Sequence, residues 1–106
     1  MSARLYYLKI LLIVFCPLWL AAQNDAAGLF KSKCAMCHAE DGSGNSPSGK
    51  ALKAKDLRSS GTQSTSDAGI ADMIRKGRNK MPAFGQKLKP DQIQQLVTYI
   101  RQLAKK

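Results

Sequence analysis

The run Cys34-Ala35-Met36-Cys37-His38 holds the residues whose types and spacing could do chemistry. Two thiols three positions apart in a helix or turn can both add to the vinyl groups of one porphyrin, and the next residue then points its imidazole at the iron. This is the attachment signature of a c-type haem. Two other chemistries use similar residues. A redox dithiol of the thioredoxin kind expects a strand-helix-strand surround, and the sequence has no such pattern. Zinc asks for four ligands, and this span supplies three. His38 is the single histidine of the chain, so no His-His metal pair and no relay of imidazoles can be built within it.

With His38 on one side of an iron, the opposite side needs a ligand, and methionine is the natural candidate. Met36 lies inside the attachment loop, on the same side as His38, and cannot reach across the ring. Met73 falls on the apolar stripe of a predicted helix, where a methionine more often packs than ligates. Met81 sits in Lys80-Met81-Pro82-Ala83-Phe84-Gly85, where Pro82 biases it to an extended backbone. Such a loop can present a thioether with no helix in its way, so Met81 is the preferred second ligand. The competing role for Met81 is to cover an apolar loop.

The elements that must position these residues are small. A chain of 106 residues is about one domain's worth, too short for a barrel or doubly wound sheet, which need roughly 200 residues. Its 44% apolar content excludes a collagenous or wholly disordered chain. Residues 1–22 read as a secretory signal peptide: Arg4 and Lys9 give a positive start, residues 10–20 are apolar, and Ala21-Ala22 offers a small-residue exit. The alternative is an uncleaved anchor, against which Lys9 interrupts the apolar run and Pro17 weakens its helix. Cys16 belongs to this segment and follows the bulky Phe15, unlike a lipoprotein processing site. The expectation is export to the periplasm, with residues 23–106 as the working domain.

Without Arg4 and Lys9 that domain keeps 15 basic and 7 acidic side chains, a net charge of +8, and its aromatics are Phe30, Phe84 and Tyr99. Domains of this size usually need a staple, a metal or a large cofactor. A bridge between Cys34 and Cys37 would close almost no loop and add little stability.

Three helices are expected. The first runs from an Asp25 cap to the cysteine region, with Ala26, Leu29, Phe30 and Lys33 along one side. Residues 41–49 have turn chemistry throughout, and a short helical turn is expected within 50–58. The second helix follows Ser64-Thr65-Ser66-Asp67, buries Ile70, Met73 and Ile74, and stops at Gly77. The last opens with Pro90 and Asp91 and carries the stripe Ile93, Leu96, Val97, Ile100 and Leu103. Lys89 is a poor N-cap, so the start of this helix should fray. No segment alternates like a sheet strand, and the fold class is all-α.

The sequence resembles the class I monohaem cytochromes c of bacteria and photosynthetic organisms. The resemblance covers essentially the whole chain after the leader: Phe30 four residues before Cys34, the Cys34-to-His38 motif, Met81-Pro82-Ala83-Phe84-Gly85, and a closing helix with Leu96-Val97-Thr98-Tyr99-Ile100. It implies three to four helices wrapped around one covalently bound haem c. It also implies that the first and last helices cross, with Ala26 or Ala27 and Phe30 meeting Leu96 and Tyr99. Pro47 resembles the loop proline whose carbonyl accepts the His38 Nδ1 proton, its other role being a plain turn. Family members often have Gly where Ala26 stands. Many relatives also place a tryptophan near a haem propionate; residues 23–106 have none, and Arg58, Lys55 and Gln63 are the candidates to replace it.

The function expected is one-electron transfer rather than catalysis, because an iron held by imidazole and thioether keeps its coordination in both oxidation states. The alternatives are a haem enzyme or small-ligand sensor with an open sixth position, and a haem-free thiol-disulfide oxidoreductase using Cys34 and Cys37. The basic charge suits redox partners with acidic docking surfaces, although it also fits solubility or anionic lipid. Nucleic acid has no recognition motif in its favour. Membrane contact is expected only through an uncleaved leader or a membrane-bound redox complex.

Overall fold

The computed structural model describes residues 25–106. The expected leader, residues 1–22, and Cys16 with it, lie outside the described residues. Among the described residues six helices follow one another: α1 (Asp25–Lys33), α2 (Ala35–His38), α3 (Pro47–Leu52), α4 (Ser60–Gln63), α5 (Asp67–Lys76) and α6 (Pro90–Leu103). Among the described residues the sole extended pairing is an isolated bridge between Arg78 and Met81, so the all-α expectation holds.

The long helices form where the apolar spacing demands them. In α6, Ile93, Leu96, Val97, Ile100 and Leu103 are all buried, and Leu96 is completely so. Its start is better held than Lys89 alone allows. An ammonium has no acceptor for helix N–H groups, but Gln92 Oε1 reaches back to accept from the Lys89 N–H at 2.8 Å, half of a capping box. Helix α5 is capped by Ser66, whose hydroxyl accepts from Gly69 N–H at 3.0 Å, and it buries Ile70, Ala71 and Ile74. Met73 lies at the edge of that stripe, half-buried, rather than within it.

Helix α1 buries Phe30 and packs across α6, and α5 packs beside α6. The Phe30 and Tyr99 rings meet at the crossing with centroids 5.1 Å apart and planes inclined by 46°, a tilted contact worth about 1 kcal/mol beyond the area it buries. Phe84 and Leu88, from the segment between α5 and α6, complete the core.

The short helices depart from expectation. The turn expected within 50–58 forms earlier, as α3, because Ser46 caps it, Pro47 takes its first position, and Lys53 ends it in the left-handed region at φ 57°. Helix α4 was not anticipated. It starts where Ser59 accepts from Thr62 N–H at 3.4 Å, and four residues are too few to show a period. Side chains then tie this region to α6. Gln63 Nε2 donates to the Leu57 and Ile100 carbonyls at 2.7 and 3.2 Å. Arg101 donates to the Gln63 and Thr65 carbonyls at 3.0 and 2.6 Å and also reaches the Asp67 carboxylate.

Candidate functional site

The attachment motif is one turn of helix growing from the end of α1. Cys34 N–H donates to the Phe30 carbonyl at 2.8 Å, and His38 N–H to the Cys34 carbonyl at 2.9 Å, which places Cys34 at the N-cap of α2 and Cys37 and His38 in its last turn. Both cysteines are half-buried and neither is in a disulfide. Before any attachment, burial, and next the neighbouring Cys37, push the Cys34 thiol up to about 11.

His38 Nδ1 lies 2.9 Å from the Lys55 carbonyl oxygen. A carbonyl can only accept, so Nδ1 carries the proton and Nε2 keeps its lone pair for a metal. The acceptor is therefore Lys55 and not Pro47. Pro47 stands at the first position of α3, where its carbonyl runs along its own helix as the ladder requires, and its contribution is the turn. Sequence reasoning also missed Ser46, which touches the motif from the start of α3: its Oγ is 2.6 Å from the Met36 carbonyl and 3.0 Å from that of Cys37.

Met81 stands on a separate turn. Arg78 and Met81 exchange backbone hydrogen bonds of 3.1 and 2.9 Å, with Asn79 left-handed at φ 53°. The segment lies directly on the end of α5. A Cβ at Gly77, itself at φ 70°, would come within 2.5 Å of the Met81 carbonyl and 2.8 Å of the Ala83 nitrogen. Phe84 and Gly85 N–H groups satisfy the Ile74 and Arg75 carbonyls at 2.9 and 3.0 Å. Met81 and Cys34 pack, half-buried, against the same apolar cluster, whereas Met36 is 76% exposed.

Of the three propionate candidates, Gln63 and Arg58 have their side chains engaged by other groups, whereas Lys55 is engaged through its backbone. Lys55 offers its carbonyl to His38, and the Gln63 amide nitrogen is held by the two backbone carbonyls described above. Arg58 pairs with Asp56 at 3.1 Å and Asp41 at 3.7 Å. Arg58 hydrogen bonds hold the Asp56 carboxyl below its usual range, and bonds from Ser43 do the same for Asp41.

A thiol pair on one turn, followed by an imidazole with a free Nε2, is a donor set that fits covalent haem. Residues 21–100 match the family model described as cytochrome C oxidase, cbb3-type, subunit III. The chain belongs to the cytochrome c family. This cytochrome is 36% identical to cytochrome c6 of Nostoc sp. over 84 residues, 79% of this chain and 73% of that one. It is 37% identical to cytochrome c6 of Rippkaea orientalis over 103 residues, covering 92% and 90% of the two chains. Among solved structures it is similar to KustC0563 c-type cytochrome, with a TM-score of 0.65 and 31% identity over 74% of this chain and 95% of that chain. Its cofactor is one covalently bound haem c, and with its family and these relatives it is a haem c electron carrier. Among the described residues, no helix of this cytochrome is long and apolar enough to cross a membrane.

Proposed function

We propose that this cytochrome is an exported one-electron shuttle whose haem is bonded to Cys34 and Cys37 and ligated by His38 and Met81, with no enzymatic role. The observation that carries the reading is the His38 ring: with Nδ1 bonded to the Lys55 carbonyl, Nε2 is the free donor on the turn that holds the two thiols. The haem, when bound, supplies an iron that cycles between ferric and ferrous states. The chain's part is to hold both axial donors through that cycle so that little nuclear rearrangement opposes transfer. His38 is kept in one tautomer by Lys55. The Met81 turn is pinned to α5 through Phe84, Gly85 and the bare backbone of Gly77. A thioether favours ferrous iron and raises the potential, and two thioether bonds would keep the group on a small protein that meets successive partners.

The partners proposed are redox proteins with acidic docking faces, met in the periplasm after residues 1–22 are removed. Lys76, Arg78, Lys80, Lys87 and Lys89 flank the Met81 turn on the surface, and the ion pairs among the described residues involve none of them. A field of uncompensated positive charge speeds encounter with a negative partner. Carbon monoxide tests the ligand set. The reduced wild type should not bind it and Met81→Ala should; equal binding by both would assign the protein instead to the open-site class of haem enzyme or sensor.

A further inference from the structure

Each carbonyl of α2 has a partner, and two of them share the single proton of one hydroxyl. The Ala35 carbonyl accepts from Ala39 N–H at 2.9 Å, and that of His38 from Gly44 N–H at 2.7 Å. Among the described residues the Met36 and Cys37 carbonyls have no backbone donor, and both lie on Ser46 Oγ. The same oxygen accepts from Gly49 N–H at 2.9 Å and so caps α3. Ser46 thus closes the end of one helix and the start of the next. Gly49 lets the two approach: a Cβ there would overlap the Cys37 carbonyl oxygen. Beyond α3 the chain turns through left-handed Lys53, Ala54 N–H returns to the Gly49 carbonyl at 2.8 Å, and Lys55 then meets His38 Nδ1. Residues 46–55 form a bracket, with Ser46 gripping the backbone of the attachment turn at one end and Lys55 holding the imidazole at the other.

We propose that Ser46 is a positioning residue for the axial imidazole: by fixing the Met36 and Cys37 carbonyls to the first turn of α3, it keeps the His38 ring in register with the Lys55 carbonyl. The inference rests on the reading of His38 as an iron ligand through Nε2. The Nδ1–H bond raises the basicity of the ligand, and a more basic imidazole favours ferric iron. Loosening the bracket therefore moves the potential in the positive direction and exposes the Nδ1 proton to solvent.

Histidine-selective 15N labelling of the reduced holoprotein tests this, because His38 is the single histidine and its ring gives the only side-chain signals. In wild type the Nδ1–H resonance should appear, displaced upfield by the porphyrin ring current. In Ser46→Ala its exchange with water should quicken about tenfold, the size of effect expected for a lost cap hydroxyl, and the midpoint potential should rise. Ser46→Thr, which keeps the hydroxyl, should restore both. Ser46→Gly removes the hydroxyl while remaining tolerable at an N-cap, and serves if the alanine variant does not mature. Wild-type exchange and potential in a folded hydroxyl-free variant would overturn the role of Ser46, as would failure of Ser46→Thr to restore them. Absence of a ring-current-shifted His38 signal in wild type would instead overturn the ligation beneath it.

Discussion

At the scale of single residues, the backbone strain of the site lies beside its imidazole. Ala39, immediately after His38, holds φ 64° and ψ 160° at the end of α2, a region that belongs almost exclusively to glycine and costs an L-residue about 1–3 kcal/mol. Ala39→Gly should stabilise the holoprotein by about 1 kcal/mol, strain relief exceeding the entropy that glycine adds to the unfolded chain; chemical denaturation checks this. Asp41 and Asp56 have depressed carboxyl pKa values in the fold. Their contribution is present above about pH 4 and is lost as the pH falls through the folded values. Asp41→Asn should therefore flatten the acid limb of a stability profile by lowering stability at neutral pH, where the carboxylate contributes, and leaving it nearly unchanged at acid pH, where the carboxyl is already protonated. That Cys34, Cys37 and His38 share one turn was legible from their spacing. The partner of His38 was not: it is a backbone carbonyl, which every residue owns, and only the path of the chain through α3 selects Lys55 over Pro47.

At the scale of elements, apolar period and caps made α5 and α6 legible: α6 buries the whole stripe its spacing requires, and α5 buries Ile70 and Ile74 but leaves Met73 half-exposed at the edge. The four residues of α4 were not, and neither was the Gln92 contact that steadies the start of α6, since a glutamine three residues after a lysine does not match the usual capping pair. Two glycines separate propensity from packing. Gly28 in α1 has open space around it, and Gly28→Ala should add about 0.5–1 kcal/mol. Gly77 has both positive φ and the Met81 segment against it, so Gly77→Ala should cost more than about 2 kcal/mol and weaken thioether ligation. Thermal melts of the two holoproteins, moving in opposite directions, would bear this out; equal shifts would show that the Met81 turn does not depend on Gly77.

At the scale of the molecule, small size, basic charge and covalent haem fit one another. Residues 23–106 carry a net charge of +8, and the core is a single apolar cluster that Cys34, Ala35 and Met81 join from its edge. The electron-transfer rate to an acidic redox protein should fall steeply as salt rises from about 50 to about 500 mM, over which exposed charges become screened; a flat response would remove the charged face from the account. The claim on which the whole reading turns is the pairing of His38 with Met81 across the iron. The visible spectrum of the oxidised protein tests it most directly: a sulfur-to-iron charge-transfer band should be present in wild type and absent in Met81→Ala, whereas a band missing from wild type, or surviving the substitution, would contradict it.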